Sequence, residues 1–187
     1  MKKLFKYFAV HKPYGVLSQF TDPGGRKTLA DLFDFPYDVY PVGRLDYDSE
    51  GLLLLTNDKA LTEKLLHPRQ NLEKEYFVQV EGIPTEEALT ELRAGVLLEE
   101  KKTLPAKVKI LQDQSPFEER IPPVRFRKTI PTTWLSITIV EGRNRQVRKM
   151  TARVGFPTLR LVRVRIGKIN LANLRLGEVI EISESSF

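Results

Sequence analysis

Three short stretches of this 187-residue chain concentrate side chains able to do chemistry. The first is Gly43-Arg44-Leu45-Asp46-Tyr47-Asp48-Ser49-Glu50-Gly51, in which three carboxylates alternate beside Arg44. Three readings fit it. It is a polar turn between two strands with solvated acids. It is a calcium loop, with Asp46, Asp48, Glu50 and Gly51 imitating positions 1, 3, 5 and 6 of an EF-hand. Or one acid is a nucleophile or base held by a nearby cation, since a carboxylate can attack carbon and form a covalent intermediate. The calcium reading fails further on, because Asn57 stands where a bidentate acid is needed and Leu52 to Leu55 is a buried-strand run. The second stretch is Lys74-Glu75-Tyr76-Phe77-Val78. Tyr76 lies on the apolar side of an alternating strand, as an ordinary core aromatic or as a base-stacking platform whose hydroxyl reaches a reacting proton. The third is Glu141-Gly142-Arg143-Asn144-Arg145-Gln146-Val147-Arg148-Lys149-Met150. Asn144 as a helix cap places helix-start amides beside arginines, which makes a phosphate site. Arg148 flanks the inward stripe of Val147, Met150, Thr151 and Val154. It either points partly inward to a carboxylate or snorkels over the helix surface.

These stretches need elements to position them. Strands are expected over 5–10 and 14–18, Val39 to Val42, Leu52 to Thr56, Lys74 to Gly82, near 96–98 and 105–111, Trp134 to Val140, Leu159 to Ile166 and Glu178 to Ile182. Helices are expected near Thr28 to Phe33, from Asn57 or Asp58 to Leu66, over Thr85 to Arg93 with Gly95 as stop, and from Asn144 to Val154. Strands outnumber helices without a β-α-β rhythm. The fold class is therefore α+β, with a mixed, largely antiparallel sheet and flanking helices and loops. The expected organisation is one domain over 1–187. It contains a long basic Pro-rich loop over 113–133, where Arg120, Arg125, Arg127 and Lys128 suit either a polyanion contact or a plain insertion.

Composition removes whole classes of function. With no cysteine and only His11 and His67, disulfides, thiolate nucleophiles and multi-histidine metal centres are excluded. No apolar run approaches the ~18 residues of a membrane span, and the basic start lacks a signal-peptide cleavage pattern, so a cytoplasmic protein is expected. Gly24-Gly25-Arg26-Lys27-Thr28 ends like a phosphate loop, but Arg26 stands where the second glycine must be, and no dinucleotide fingerprint exists. Charge is uneven. Residues 1–141 hold 20 Lys+Arg and 21 Asp+Glu, a net of −1; residues 142–187 hold 10 and 3, a net of +7. Arg143 to Lys168 carries nine cations, seven of them arginine, with no acid between. Arginine suits phosphate forks and stacking, so a polyanion, first of all nucleic acid, is the natural partner; a solvated basic face is the alternative.

Taken together, Gly43 to Asp58, Lys74-Glu75-Tyr76 and Glu141 to Met150 resemble the pseudouridine synthases of the family that modifies ribosomal RNA. Lys12-Pro13-Tyr14-Gly15-Val16-Leu17-Ser18 and Val154-Gly155-Phe156-Pro157-Thr158-Leu159-Arg160-Leu161 match as well. The likeness runs from near residue 8 to near residue 180. Many relatives begin with a small S4 RNA-binding domain, which is not expected here. Many distant ones have a histidine where Arg145 stands, and no role is carried over from it.

The resemblance implies that a specific uridine of large-subunit (23S) ribosomal RNA is isomerised to pseudouridine. The C1′–N1 bond breaks, the base turns, and C5 joins C1′, with no cofactor and no metal. Asp46 looks like the catalytic carboxylate, attacking the sugar or the base ring, and Arg148 like its ion-pair partner. A close arginine lowers a carboxylate pKa by about 1–3, against desolvation pushing the other way. Tyr76 looks like the residue that stacks on the base and takes the C5 proton. The target must be flipped out of its helix, and Arg44 then fills the vacated space or holds the backbone. Arg143, Asn144, Arg145, Gln146, Lys149, Arg160 and Arg163 are the expected RNA contacts. With about six phosphate contacts, log K would fall with log salt at a slope of about −4 to −5. A monomer is expected. The alternatives are a non-catalytic RNA-binding or ribosome-assembly module, and a divalent-ion protein built on Asp46, Asp48 and Glu50.

Overall fold

The computed structural model describes residues 4–111, 116–125, 127, 129–171 and 174–187. The chain forms two units, one of residues up to Leu72 together with Arg163–Phe187, the other of Glu73–Val162. In chain order the first unit contributes β1 (Tyr7–Lys12), β2 (Tyr40–Pro41), β3 (Glu50–Thr56) and α1 (Lys59–Leu66). The second contributes β4 (Lys74–Glu81), α2 (Glu86–Ala94), β5 (Leu97–Leu98), β6 (Lys101–Lys102), β7 (Lys107–Ile110), β8 (Thr132–Ile139) and α3 (Gln146–Arg153). Strand β9 (Thr158–Ile166) leads the chain from the second unit back to the first, which adds β10 (Ile169–Asn170) and β11 (Val179–Glu181).

In the first unit β1 lies between β11 and β3, antiparallel to both, with Phe8 opposite Leu55 and Lys12 opposite Gly51. Every residue of β1 and β3 is buried, which explains why β3 reads as a continuous apolar run rather than an alternating one. Each buried leucine of the run Leu52 to Leu55 contributes about 2 kcal/mol of hydrophobic stabilisation. Asp58 caps α1 by accepting from the Leu61 amide at 3.0 Å. In the second unit β8 pairs with β4 and β7, both antiparallel. Tyr76, Val78 and Val80 form the buried side of β4. Thr85 caps α2, and Gly95 ends it with φ +89°. The fold is α+β, as expected.

Several expected elements differ. Residues 14–18 form no strand. Gly15 turns the chain at φ +74°, and Leu17 makes only an isolated parallel bridge to Thr28. The helix near Thr28 is one 3-10 turn over Leu29–Asp31, closed by Asp31, which accepts from the Thr28 amide at 2.8 Å. Strand β5 lies where a strand is expected near 96–98, and its pairing with β6 in a hairpin is additional. Within the 113–133 stretch, Phe117 packs against Phe77 and Trp134, Arg127 pairs with Glu81, and Arg120 bonds the carbonyls of Pro122 and Pro123. Lys128, counted in that basic loop, and the N-terminal Met1-Lys2-Lys3 lie outside the described residues.

Candidate active site

In the first unit the stretch 43–51 leads into β3, and its backbone is bonded at successive positions. Ser18 Oγ donates to the carbonyl of Leu45 at 2.7 Å and accepts from the Leu45 amide at 3.1 Å. The Ser49 amide donates to the carbonyl of Asp46 at 3.0 Å, and the Gly15 amide to that of Tyr47 at 2.9 Å. Asp46 is thus half-buried at the centre of a turn whose main chain is fixed on both sides. Arg44 is exposed. Glu50 is wholly buried, which removes it from the alternating solvated acids of the turn reading. Among the described residues no group of three His, Cys, Asp or Glu side chains is placed to hold a metal.

Beneath the loop sits a charge that the sequence showed only as part of a matching motif. Lys12 is fully buried, and its Nζ donates to the carbonyls of Pro13 at 2.8 Å and Val16 at 2.7 Å. Burial pushes its pKa down to about 7; Glu50 opposes this, Arg163 adds to it, and Asp48 and Asp46 oppose it more weakly. Arg163 is also buried. Its Nε donates to the carbonyl of Leu52 at 2.8 Å.

In the second unit the start of α3 departs from expectation. Asn144 is not the cap. Arg145 holds that position in the left-handed region (φ 51°, ψ 33°) without a side-chain cap bond. Gln146 closes the turn instead: its Oε1 accepts from the Arg143 amide at 3.0 Å and its Nε2 donates to Glu141 at 2.7 Å. Arg143 spends its guanidinium on Glu141 and on the carbonyls of Lys101 and Lys102, at 2.9 and 2.7 Å. Arg160 donates to the carbonyl of Glu118 at 2.7 Å and lies over the Phe117 ring. Arg143, Gln146, Arg160 and Arg163, all expected on RNA, also hold protein groups, as a half-buried guanidinium or amide takes nearby carbonyls and carboxylates. Asn144 and Arg145 are exposed, Arg148 is half-buried, and Lys149 pairs with Glu99. Tyr76 is buried on the inner side of β4.

Comparison with known proteins separates the enzyme reading from the two alternatives. A family model described as RNA pseudouridylate synthase matches residues 6–153. The chain belongs to this family. It is 59% identical over 178 residues to the ribosomal large subunit pseudouridine synthase E of Vibrio vulnificus, which covers 95% of this chain and 75% of the relative. To the ribosomal large subunit pseudouridine synthase B of Bacillus subtilis it is 42% identical over 178 residues, covering 95% and 68%. A crystal structure of a pseudouridylate synthase superposes with a TM-score of 0.81 at 30% identity, covering 97% of this chain and 72% of that one.

As a member of the pseudouridylate synthases, the chain is an isomerase that turns uridine in RNA into pseudouridine. Among the described residues no helix is long and apolar enough to cross a membrane. The site has a stability signature that needs no RNA. Folded Lys12 releases its proton near pH 7, whereas an unfolded lysine does so near 10.5. Between those values the unfolded chain binds more protons, so stability rises with pH. The expected gain from pH 7 to 9 is about 2 kcal/mol. Urea unfolding at the two pH values checks it, and Lys12→Met should remove the rise.

Proposed function

We propose that the chain isomerises one uridine of large-subunit ribosomal RNA, as a monomer in the cytoplasm, with Asp46 as the carboxylate that attacks the sugar or the base ring. The observation that carries this reading is the turn around Asp46. Three consecutive residues, Leu45, Asp46 and Tyr47, have their backbone bonded by Ser18, Ser49 and Gly15, and the carboxylate between them is half-buried. Such fixing holds a nucleophile near its attack geometry, which is where an enzyme gains over a flexible acid. The names of the relatives supply the RNA class.

The remaining roles follow chemically. Attack on carbon needs Asp46 ionised, and Arg148 supplies the positive charge that keeps it so in a dry site. Tyr76 stacks on the extruded base and receives the C5 proton once C5 has joined C1′. Arg44, exposed at the start of the loop, takes the space the base leaves or holds the backbone. The bond from Asp46 to carbon breaks again before the product leaves, and the proton lost from C5 is matched by one gained at N1, so the reaction needs no cofactor. Asn144, Arg145 and Lys149 hold RNA phosphates.

The test is incubation with fragments spanning large-subunit ribosomal RNA, followed by a pseudouridine-specific chemical label. A single new labelled position is expected. No gain on any fragment, or gain only on small-subunit RNA, would overturn the proposal. Sedimentation at micromolar concentration should give one species of 21.5 kDa.

A further inference from the structure

Directly after Asp46 stands Tyr47, which is 41% exposed although its ring is approached from several directions. The Arg26 guanidinium lies over it, 5.8 Å from the ring centre. The Tyr14 ring is 6.3 Å away, inclined at 45°. A Cβ added at Gly15 would lie 3.7 Å from the Tyr47 hydroxyl, so that hydroxyl rests near bare backbone.

Arg26 is itself fixed. Its Nε and Nη2 donate to the two carboxylate oxygens of Asp22 at 3.0 and 2.9 Å, and its amide donates to the same side chain at 3.0 Å. These bonds hold the Asp22 carboxyl down to about 2, so the pair stays charged throughout the working pH range. The fork uses one edge of the guanidinium and leaves the two Nη1 hydrogens for another acceptor. The Arg26 side chain is 53% exposed. This is the segment that resembled a phosphate loop and failed as one. What it presents is one guanidinium with a directed free edge, propped over an aromatic ring one residue from the reacting carboxylate.

An exposed tyrosine gains little for the fold. A stacked arginine, pinned by a carboxylate on a surface turn, has lost its rotamer freedom before any ligand arrives. Both features are what a base and its phosphate require. We propose that Arg26 and Tyr47 receive the nucleotide adjoining the target uridine: Tyr47 stacks on its base, and the Nη1 edge of Arg26 takes its phosphate. Asp22 is the positioning residue that sets the angle of Arg26. This proposal rests on the reading of Asp46 as the site of reaction on RNA. It adds a contact that reads the neighbour rather than the uridine itself, and stacking tolerates any base while favouring purines.

The experiment uses the full chain and the ribosomal RNA fragment that it converts, with 2-aminopurine placed at each nucleotide flanking the target. Wild type should quench one flanking position. Tyr47→Ala should abolish that quenching and raise KM by about tenfold, with kcat changed less than threefold. Tyr47→Phe should restore both, and Arg26→Gln should raise KM without removing the quench. Melting temperatures of the three variants should match wild type, since these are surface substitutions. Quenching and KM within twofold of wild type in both Tyr47→Ala and Arg26→Gln would overturn the proposal while leaving the enzyme reading intact. A wild type that modifies no RNA would overturn both.

Discussion

Asp46→Asn is expected to lower the rate of pseudouridine formation by about 10⁴-fold or more while RNA affinity stays within about threefold. Asparagine has nearly the shape of aspartate and keeps one carbonyl oxygen. The turn is held through main-chain groups of Leu45, Asp46 and Tyr47, and those bonds do not use the side-chain charge. The substitution removes the anionic oxygen that the proposed mechanism uses to attack carbon. A loss of this size is what a residue bonded to the reacting centre gives. The measurement is single-turnover conversion with saturating enzyme, so that binding drops out. A rate within tenfold of wild type would transfer the chemistry to another group and leave Asp46 as a turn residue. The variant should also remain folded, with the same rise in stability between pH 7 and 9, since Lys12 feels Asp46 less than it feels burial and Glu50.

The parts of the fold legible in the sequence are those with local causes. Asp58 before α1, Thr85 before α2 and Gly95 after it are capping signals, and they act within four residues. The alternation of β4 is equally local. Where an element depends on distant groups, the residues misled. The β5–β6 hairpin turns through Glu99 and Glu100 at φ 50° and 66°, a conformation that normally announces itself with Asn or Gly. Its support comes from elsewhere: Arg143 grips the carbonyls of Lys101 and Lys102, and Lys149 pairs with Glu99. The same remoteness hid the use of the arginines. Composition counts Arg143, Arg160 and Arg163 as surface charge, but only a fold shows that each donates to a carbonyl oxygen.

The candidate site was legible to a different degree in each half. The acidic stretch stood out by its alternating carboxylates beside Arg44. The residues that hold it, Gly15 and Ser18, lay in a segment that matched a family without a visible reason, because one hydroxyl and one amide carry no compositional signal. Asn144 misled for the opposite reason: asparagine is a good cap only where the chain enters the helix directly after it, and here Arg145, in the left-handed region, takes that place.

Gly51→Ala should be the most damaging single-methyl change in the 43–51 segment that carries Asp46. The residue has φ +110°, where a side chain is strained. A Cβ there would lie 2.2 Å from the carbonyl oxygen and 2.5 Å from the nitrogen of Arg163. Both are backbone atoms of a neighbouring strand and cannot swing aside. Strand β3 would have to move off β9 at the point where Arg163 Nε holds the carbonyl of Leu52, and where Lys12 of β1 sits opposite. Strain of about 1–3 kcal/mol adds to an overpacking cost of similar size, giving a loss of about 4 kcal/mol against a total stability of about 5–15. Thermal unfolding checks this, with Gly142→Ala as the comparison, since a Cβ at Gly142 meets nothing within 4 Å. Gly51→Ala should melt at least 8 °C lower, and Gly142→Ala within 2 °C of wild type. Equal melting of the two variants would mean that the approach of β9 to β3 is looser than these distances. The backbone that carries Asp46 into its strand would then need another anchor.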